Sequence, residues 1–175
     1  MNITAGKFKG RKVTAPDEKI TRPTLSKTRE SVFNILYSHI DFEGKAFLDV
    51  FAGSGIMGLE ALSRGFETVC SFEKNFSTAK ILKFNYAQLS LNPNLKVCDA
   101  LKGLKELTAK FDVIYIDPPY ESNLYEKCLT IIKANSLLAS NGIIILEHSS
   151  PIEFDGFEIL KQKVYSQKFL TFLIE

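Results

Sequence analysis

The feature that most constrains the fold is a regular alternation of short apolar runs with amphipathic stretches between residues 45 and 150. Apolar runs of four to seven residues are typical of strands buried on both faces of a parallel sheet. The amphipathic stretches between them are typical of helices that cover such a sheet, so the pattern predicts an α/β domain. The predicted strands are Ala46–Phe51, Thr68–Glu73, Leu95–Cys98, Phe111–Asp117 and Gly142–Glu147. The predicted helices between them are Met57–Arg64, Ser77–Ser90, Leu101–Thr108 and Tyr125–Ala134. A further helix is predicted before the first strand, capped by Thr24 or Ser26 and running to about Ile40.

The end of the chain predicts two more strands. Phe157–Tyr165 and Phe169–Ile174 have strand-like composition and are separated by only three residues, which is typical of an antiparallel hairpin at a sheet edge. A length of 175 residues with 45% hydrophobic residues suits one domain with a sizeable core. We therefore predict a single Rossmann-like domain over residues 1–175, with its mostly parallel core over residues 45–175.

The beginning of the chain carries most of the positive charge. Residues 1–29 contain eight Lys or Arg side chains and two Asp or Glu side chains, whereas the remaining residues are slightly acidic. Gly6 and Gly10 interrupt this stretch and predict a small basic hairpin as an extension over residues 1–20. Such an extension would attract a polyanion, and nucleic acid is the obvious candidate. A solvated surface hairpin explains the same charges equally well.

The composition excludes several classes of protein. No apolar run approaches the ~20 residues of a membrane span, and the first residues lack the apolar stretch of a signal peptide, so we expect a cytoplasmic protein without a membrane partner. Cys70, Cys98 and Cys128 are odd in number and match no metal-binding spacing, so neither a disulfide nor a metal is expected. His39 and His148 have no neighbouring nucleophile or ligand set and are predicted to be structural.

The first chemical motif is a glycine-rich turn between a predicted strand and a predicted helix. Gly53, Gly55 and Gly58 form the pattern G-x-G-x-x-G, and Glu73 ends the next strand, where a carboxylate can accept hydrogen bonds from ribose hydroxyls. These features fit a nicotinamide dinucleotide and S-adenosylmethionine equally well. Asp49 favours S-adenosylmethionine, because a carboxylate in the crevice attracts the methionine ammonium and repels a pyrophosphate.

A further carboxylate follows the third predicted strand. Asp99 is placed at the mouth of the crevice, where it would accept a hydrogen bond from an adenine amino group. Asp99 also precedes a predicted helix and suits its N-cap position. The two roles are compatible, and the sequence leaves both open.

The most specific motif is Asp117-Pro118-Pro119-Tyr120 at the end of the fourth predicted strand. Two prolines lack backbone N–H groups, so acceptor oxygens accumulate beside Asp117. Asp117 and the Pro118 carbonyl would hold both hydrogens of an exocyclic amine, with its nitrogen ready for in-line attack on a sulfonium methyl. Tyr120 offers a flat face for a base removed from its stack. A Pro-Pro turn that only ends the strand is the alternative interpretation.

Taken together, these motifs resemble a known family. The pattern D-x-F-A-G-S-G followed by D-P-P-Y is similar to amino-group methyltransferases of the class I, S-adenosylmethionine-dependent fold. The segments A-G-K-F-K-G-R-K, R-P-T and R-E-S-V-F resemble the bacterial small-subunit (16S) ribosomal RNA guanine-N2 methyltransferases of the RsmD type. This resemblance covers nearly the whole chain. It implies a seven-stranded sheet with a reversed last strand, a ribosomal substrate and no metal.

The resemblance also assigns roles to residues. It implies S-adenosyl-L-methionine as cofactor and 16S ribosomal RNA as partner, within an assembling small ribosomal subunit, and we expect a monomer. The expected cofactor-binding residues are Asp49, Ala52, Gly53, Ser54, Gly55, Glu73, Asp99 and Ala100, and the expected catalytic residues are Asp117, Pro118, Pro119 and Tyr120. The basic residues expected to contact RNA are Lys7, Lys9, Arg11, Lys12, Arg22 and Arg29.

Other functions would use some of the same residues. A DNA adenine or cytosine amino-methyltransferase shares the D-P-P-Y chemistry, but 175 residues leave little room for a target-recognition insertion. Methylation of another RNA is a further alternative. A nicotinamide-dependent oxidoreductase is opposed by Asp49, and a non-catalytic RNA-binding module would need no intact motif at residues 117–120.

Overall fold

A seven-stranded sheet with helices on both faces forms the centre of the computed structural model, which describes residues 1–16, 26–118, 124–149, 152–165 and 168–175. The strands are β1 (Ala46–Asp49), β2 (Thr68–Phe72), β3 (Asn94–Lys96), β4 (Phe111–Ile116), β5 (Leu138–His148), β6 (Glu158–Tyr165) and β7 (Lys168–Ile174). The helices are α1 (Ser26–Tyr37), α2 (Ile56–Arg64), α3 (Phe76–Ala87), α4 (Ala100–Lys105) and α5 (Leu124–Ala134). Among the helices within these ranges, none combines the length and apolarity that a membrane span requires.

The strands lie in the order β3-β2-β1-β4-β5-β7-β6. Strand β7 is antiparallel to both β5 and β6, and the other neighbouring pairs are parallel. The predicted Rossmann-like sheet with a C-terminal antiparallel hairpin is therefore confirmed, as is the reversed last strand that the resemblance implied. Because the strand order reverses between β1 and β4, a crevice opens at the carboxyl ends of these two strands.

Several strands end earlier than their apolar runs predict. Val50 is fully buried but lies beyond the last residue of β1, and Glu73 and Asp117 likewise follow β2 and β4 instead of ending them. The apolar pattern reports burial, whereas strand bounds report hydrogen-bonded pairing, so the two diverge where a buried chain leaves the sheet. The consequence is that these acidic residues lie on loops at the crevice.

The core lies on both faces of the sheet. Phe47 packs with residues of α1, α2 and α3 on one face, and its neighbour Leu48 packs with residues of α4 and α5 on the other. This alternation follows from the two-residue period of a strand. Side chains of consecutive residues at the end of each strand therefore lie on opposite faces of the sheet.

The N-terminal arm, residues 1–16, doubles back on itself. The predicted hairpin forms around a single antiparallel bridge, between Asn2 and Lys12, without regular strands. Gly6 and Gly10 adopt φ values of 80° and 81°, a region that glycine enters without steric cost. Two apolar side chains, Ile3 and Val13, are buried against the core. The remaining part of the predicted extension, residues 17–20, lies outside the described residues.

A buried carboxylate fastens this arm to the domain. Glu60 of α2 is fully buried and accepts hydrogen bonds from Thr4 N at 2.8 Å and Thr4 Oγ1 at 2.9 Å. Arg29 Nε of α1 lies 3.2 Å from Glu60 Oε1, and Arg64 Nε lies 3.3 Å from Glu60 Oε2. Arg29 also donates to the Asn2 carbonyl at 2.8 Å. Glu60 therefore joins the arm, α1 and α2 at one point.

This arrangement corrects one sequence-based prediction. Arg29 was expected to contact RNA, but it is 1% exposed and its guanidinium is paired with Glu60, so the prediction is wrong for this residue. Lys7, Lys9, Arg11 and Lys12 are exposed, as phosphate binding requires. Arg22 and the proposed cap Thr24 lie outside the described residues.

We predict that Glu60→Ala lowers the free energy of unfolding by about 3–5 kcal/mol, because it leaves the buried positive charge of Arg29 without the carboxylate that balances it. Urea denaturation followed by circular dichroism measures the loss. Lys45→Ala is the control, since it breaks a partly exposed pair with Asp112 and should cost less than about 1 kcal/mol. Equal losses in the two variants would contradict a central role for Glu60.

Candidate active site

The candidate site lies at the carboxyl ends of β1, β2 and β4. Asp49, the last residue of β1, is in register with Ser71 of β2 and with Tyr115 of β4. Asp117 follows β4 directly, and Glu73 follows β2 directly. The parallel arrangement thus brings carboxylates from three separate segments to one edge of the sheet.

The glycine-rich turn leads from β1 into α2. Gly53 and Gly55 have φ values of 52° and 80°, and Gly55 N donates to the Ala52 carbonyl at 2.8 Å to close the turn. A Cβ atom at Gly55 would lie 2.7 Å from Leu82 Cγ, whereas a Cβ atom at Gly53 would meet nothing within 4 Å. Gly55 is therefore required for packing, while the open side of Gly53 lets a ligand approach the backbone. The intervening Ser54 is buried.

Glu73 is hydrogen-bonded to the turn that it faces. Glu73 Oε2 accepts from Gly53 N at 3.0 Å, and Glu73 Oε1 accepts from Asn75 N at 2.7 Å. The sequence placed Glu73 at this edge of the sheet but did not predict its hydrogen bond to Gly53 N. Its role as an acceptor for ribose hydroxyls stays a prediction. Its carboxylate is half-buried at the crevice.

Asp49 is a buried carboxylate whose charge is only partly compensated. It is 1% exposed, and among the described residues neither carboxylate oxygen accepts a hydrogen bond of good geometry. Burial, followed by the negative charge of Glu73, raises the pKa of Asp49 to about 7, although the backbone N–H groups of Phe51 and Gly58 offset part of the rise. A cationic group placed against Asp49 would remove this penalty.

Asp99 is brought to the same edge by backbone pairing beyond β2 and β3. Glu73 N donates to the Lys96 carbonyl at 3.2 Å, and Cys98 N donates to the Glu73 carbonyl at 3.2 Å. Asp99 Oδ1 accepts from the backbone N–H groups of the second and third residues of α4, so the N-cap interpretation is confirmed. Ala100 is buried at the start of that helix, and the adenine contact of Asp99 stays a prediction.

The D-P-P-Y motif, expected to bind the amine, is described in part. Asp117 is half-buried and Pro118 is buried, while Pro119 and Tyr120 lie outside the described residues. Burial and the negative charge of Asp117 raise the pKa of Tyr115 well above its ordinary value, so Tyr115 keeps its proton. Asp117 therefore lies close enough to Tyr115 to influence its ionisation.

Two features of this region were missed by sequence reasoning. The first is Glu147 of β5, which accepts hydrogen bonds from Tyr115 at 3.1 Å and from Lys168 at 2.5 Å. Glu147 follows directly after the apolar run at residues 143–146, and a carboxylate at that place is the sequence signal that identifies it. Its carboxylate thus anchors the hydroxyl of Tyr115, which lies two residues before Asp117.

The second is Asn85 of α3, which connects the arm to the glycine-rich turn. Asn85 Oδ1 accepts from Thr14 N at 2.9 Å, and Asn85 Nδ2 donates to the Thr14 carbonyl and the Ser54 carbonyl, each at 2.9 Å. Asn85 is 3% exposed, so these hydrogen bonds are protected from water. An isolated Asn in an amphipathic helix carries no sequence signal for such a role.

Comparison with known proteins identifies the family. The family described as "Conserved hypothetical protein 95" matches residues 1–174. "Ribosomal RNA small subunit methyltransferase D" of Buchnera aphidicola is 33% identical in an alignment of 172 residues that covers 94% of this chain and 88% of that protein. The protein of the same name from Escherichia coli K12 is 32% identical over 148 residues, which are 84% of this chain and 74% of that protein.

A solved structure agrees with this assignment. The protein named "Putative methyltransferase yhhF from Escherichia coli" superposes with a TM-score of 0.88 at 28% identity, covering 99% of this chain and 96% of that chain. The similarity therefore extends over the sheet, the helices and the N-terminal arm together. The chain belongs to the conserved hypothetical protein 95 family and is a class I methyltransferase of the RsmD type.

Proposed function

We propose that this methyltransferase transfers a methyl group from S-adenosyl-L-methionine to the exocyclic N2 amino group of a guanine in 16S ribosomal RNA. The observation that carries the proposal is the juxtaposition of Asp49, buried at the end of β1 and only partly compensated, with Asp117 and Pro118 at the end of adjacent β4. A cation-binding acid and an amine-binding motif thus share one crevice. The names of the Buchnera and Escherichia coli relatives support ribosomal RNA as the substrate.

The residues present fit the cofactor. Asp49 would pair with the methionine ammonium, and the open side of Gly53 would accommodate the close approach of the amino-acid moiety. Glu73 would accept hydrogen bonds from the ribose hydroxyls, and Asp99 would accept one from the adenine amino group. Ala52, Ser54 and Ala100 would shape the surrounding wall. When bound, S-adenosyl-L-methionine supplies an electrophilic methyl group on a sulfonium.

The residues after β4 would hold the attacking amine. The Asp117 carboxylate and the Pro118 carbonyl would each accept one N–H of the guanine amino group, which directs the nitrogen lone pair toward the methyl group. Once methylated, the nitrogen would carry an extra proton as an ammonium, and Asp117 or water would accept that proton. Pro119 lacks a competing N–H, and the ring of Tyr120 would stack on the extruded base.

The substrate implies a setting for the protein. Exposed Lys7, Lys9, Arg11 and Lys12 would contact RNA phosphates, and Arg22 is expected to join them. We place the reaction on an assembling small ribosomal subunit, with the whole chain acting as one monomeric domain. Ribosomal RNA as substrate implies a cytoplasmic location.

Methylation of small subunits purified from cells lacking this protein tests the proposal directly. Labelled S-adenosyl-L-methionine is supplied, and the modified nucleotide is mapped. We expect label at N2 of a guanine in 16S ribosomal RNA. Label on an adenine or cytosine amine, or on DNA, would assign the enzyme to another class of amino-methyltransferase.

We predict that Asp49→Asn stabilises the protein without ligand more at pH 8 than at pH 5, by about 2–3 kcal/mol. The pKa of Asp49 rises from 3.8 to about 7 on folding, so between these values the folded protein holds a proton that the unfolded chain has lost. The free energy of unfolding therefore falls as pH rises through this window. Urea denaturation at the two pH values measures the effect. Exposed Asp41→Asn is the control, and equal gains at both pH values would contradict a raised pKa for Asp49 in the folded protein.

We predict that Glu73→Ala weakens cofactor binding roughly ten- to a hundredfold, because about 1.5–3 kcal/mol of hydrogen bonding to a charged acceptor is lost. Isothermal titration calorimetry with S-adenosyl-L-methionine measures the affinity. Glu67→Ala, an exposed acid before β2, should bind as the wild type does. Unchanged affinity in folded Glu73→Ala would remove Glu73 from the site.

We predict that Asp117→Ala lowers the methyl-transfer rate by about 10²-fold or more, since it removes a charged acceptor aligned with the attacking nitrogen. Single-turnover transfer to small subunits measures the rate, and calorimetry should show near-normal cofactor affinity. Asp117→Asn keeps one acceptor oxygen and should be less impaired. A wild-type rate in folded, cofactor-bound Asp117→Ala would mean that the amine is held elsewhere.

A further inference from the structure

The outward face of α3 carries two aromatic rings interleaved with lysines. Phe76 is 66% exposed and Phe84 is 52% exposed, and they are two helical turns apart, about 12 Å along the axis. Lys80 lies between them, with Nζ 4.8 Å from the centroid of the Phe76 ring, and Lys83 is exposed beside Phe84. We call these four residues the α3 platform. Single exposed Phe side chains are common on protein surfaces, so we infer the ligand of the platform from its charge and its position.

The platform belongs to a basic segment that the overall charge conceals. Residues 74–98 contain Lys74, Lys80, Lys83 and Lys96 but no Asp or Glu. The net charge of residues 30–175 is slightly negative because acidic residues elsewhere outweigh this segment. The surface around α3 is therefore suited to a polyanion.

The α3 platform is continuous with the basic N-terminal arm. Arg11 Nη2 donates to the Gln88 carbonyl, just after α3, at 3.3 Å. Thr14 of the arm exchanges two hydrogen bonds with Asn85 on the buried side of α3. The arm thus packs along the carboxyl-terminal half of α3, and the exposed cations of both elements form one basic surface.

The same surface reaches the cofactor crevice. Asn75, the N-cap of α3, donates its backbone N–H to Glu73 and precedes Phe76 directly. A strand of nucleic acid lying along α3 would therefore run from the arm toward the acid that faces the glycine-rich turn. This path leads a substrate to the crevice and away from α4 and α5 on the opposite face of the sheet.

We propose that the α3 platform binds unpaired ribosomal RNA next to the target nucleotide, with Phe76 and Phe84 stacking on bases and Lys80 and Lys83 contacting phosphates. This inference rests on the proposed function. Rings stack on any exposed base face, and cations follow the backbone, which is the usual composition of surfaces that bind single strands. The absence of carboxylates from residues 74–98 favours this polyanion over a protein partner of mixed charge.

Equilibrium binding to a short single-stranded oligoribonucleotide, and to a duplex of the same sequence, tests the platform. Phe76→Ala/Phe84→Ala should weaken single-strand binding by about tenfold or more without changing its salt dependence. Lys80→Ala/Lys83→Ala should make the slope of log K against log salt shallower by about 1.4, the effect of losing two phosphate contacts to a single strand. Phe76→Tyr/Phe84→Tyr keeps both rings and should restore binding. Duplex binding should be insensitive to the Phe changes.

Matched controls lie elsewhere on the surface. Tyr37→Ala removes a ring that is 74% exposed on α1, and Lys105→Ala/Lys127→Ala removes two exposed lysines from the opposite face of the sheet. Neither control should alter single-strand affinity or the salt slope. Thermal unfolding and cofactor calorimetry verify that each variant is folded and binds S-adenosyl-L-methionine normally.

Several outcomes would overturn the proposal. Wild-type single-strand affinity in Phe76→Ala/Phe84→Ala rejects stacking, and weakened cofactor binding in Phe76→Ala assigns that ring to the cofactor instead. If the wild type binds anionic phospholipid vesicles and the platform variants lose that binding but still bind RNA, the platform is assigned to a membrane surface. If the wild type methylates small subunits while the platform variants bind RNA normally, only the platform is wrong. If the wild type does not methylate ribosomal RNA at all, the proposed function itself fails.

Discussion

The buried carboxylate of Glu60 is the constraint on which the arrangement around the crevice depends. Removing this charge from water is expensive, and the cost is offset only because Arg29, Arg64 and Thr4 all reach it. These partners come from α1, α2 and the N-terminal arm, so the carboxylate is satisfied only when all three are in place. The geometry of the arm is therefore tied to α2, the helix that begins at the glycine-rich turn.

Asp49 is also a buried carboxylate, but its charge is much less well compensated than that of Glu60. Glu60 has several partners, whereas Asp49 lacks hydrogen bonds of good geometry among the described residues and its pKa rises to about 7. Both residues belong to the same β1–α2 unit, so the difference does not arise from distance along the chain. The protein carries a destabilising charge where a cationic ligand would neutralise it, as is common at functional sites.

Asn85 links the basic surface proposed to bind RNA with the crevice proposed to bind the cofactor. Its side chain is hydrogen-bonded to Thr14 of the arm and to Ser54 of the glycine-rich turn, so one buried side chain connects the basic surface with the crevice. The arm and α3 contribute cationic side chains to the basic surface, and the glycine-rich turn contributes backbone that a ligand can approach closely. Under the proposed function, RNA held on this surface lies in a fixed relation to Asp117, with Tyr115 and Glu147 holding the segment before it.

The sequence alone determined the sheet and the positions of Asp49, Glu73, Asp99 and Asp117 at its edge. These follow from local patterns, because an apolar run predicts a buried strand and parallel strands bring their carboxyl ends together. The tertiary structure decided which charged side chains are exposed to a ligand and which are paired in the interior. Arg29 is one cation among many in the basic segment, and only the approach of Glu60, 31 residues away, removes it from the exposed basic surface. Asn85 and the α3 platform likewise depend on contacts or exposure that neither composition nor periodicity encodes.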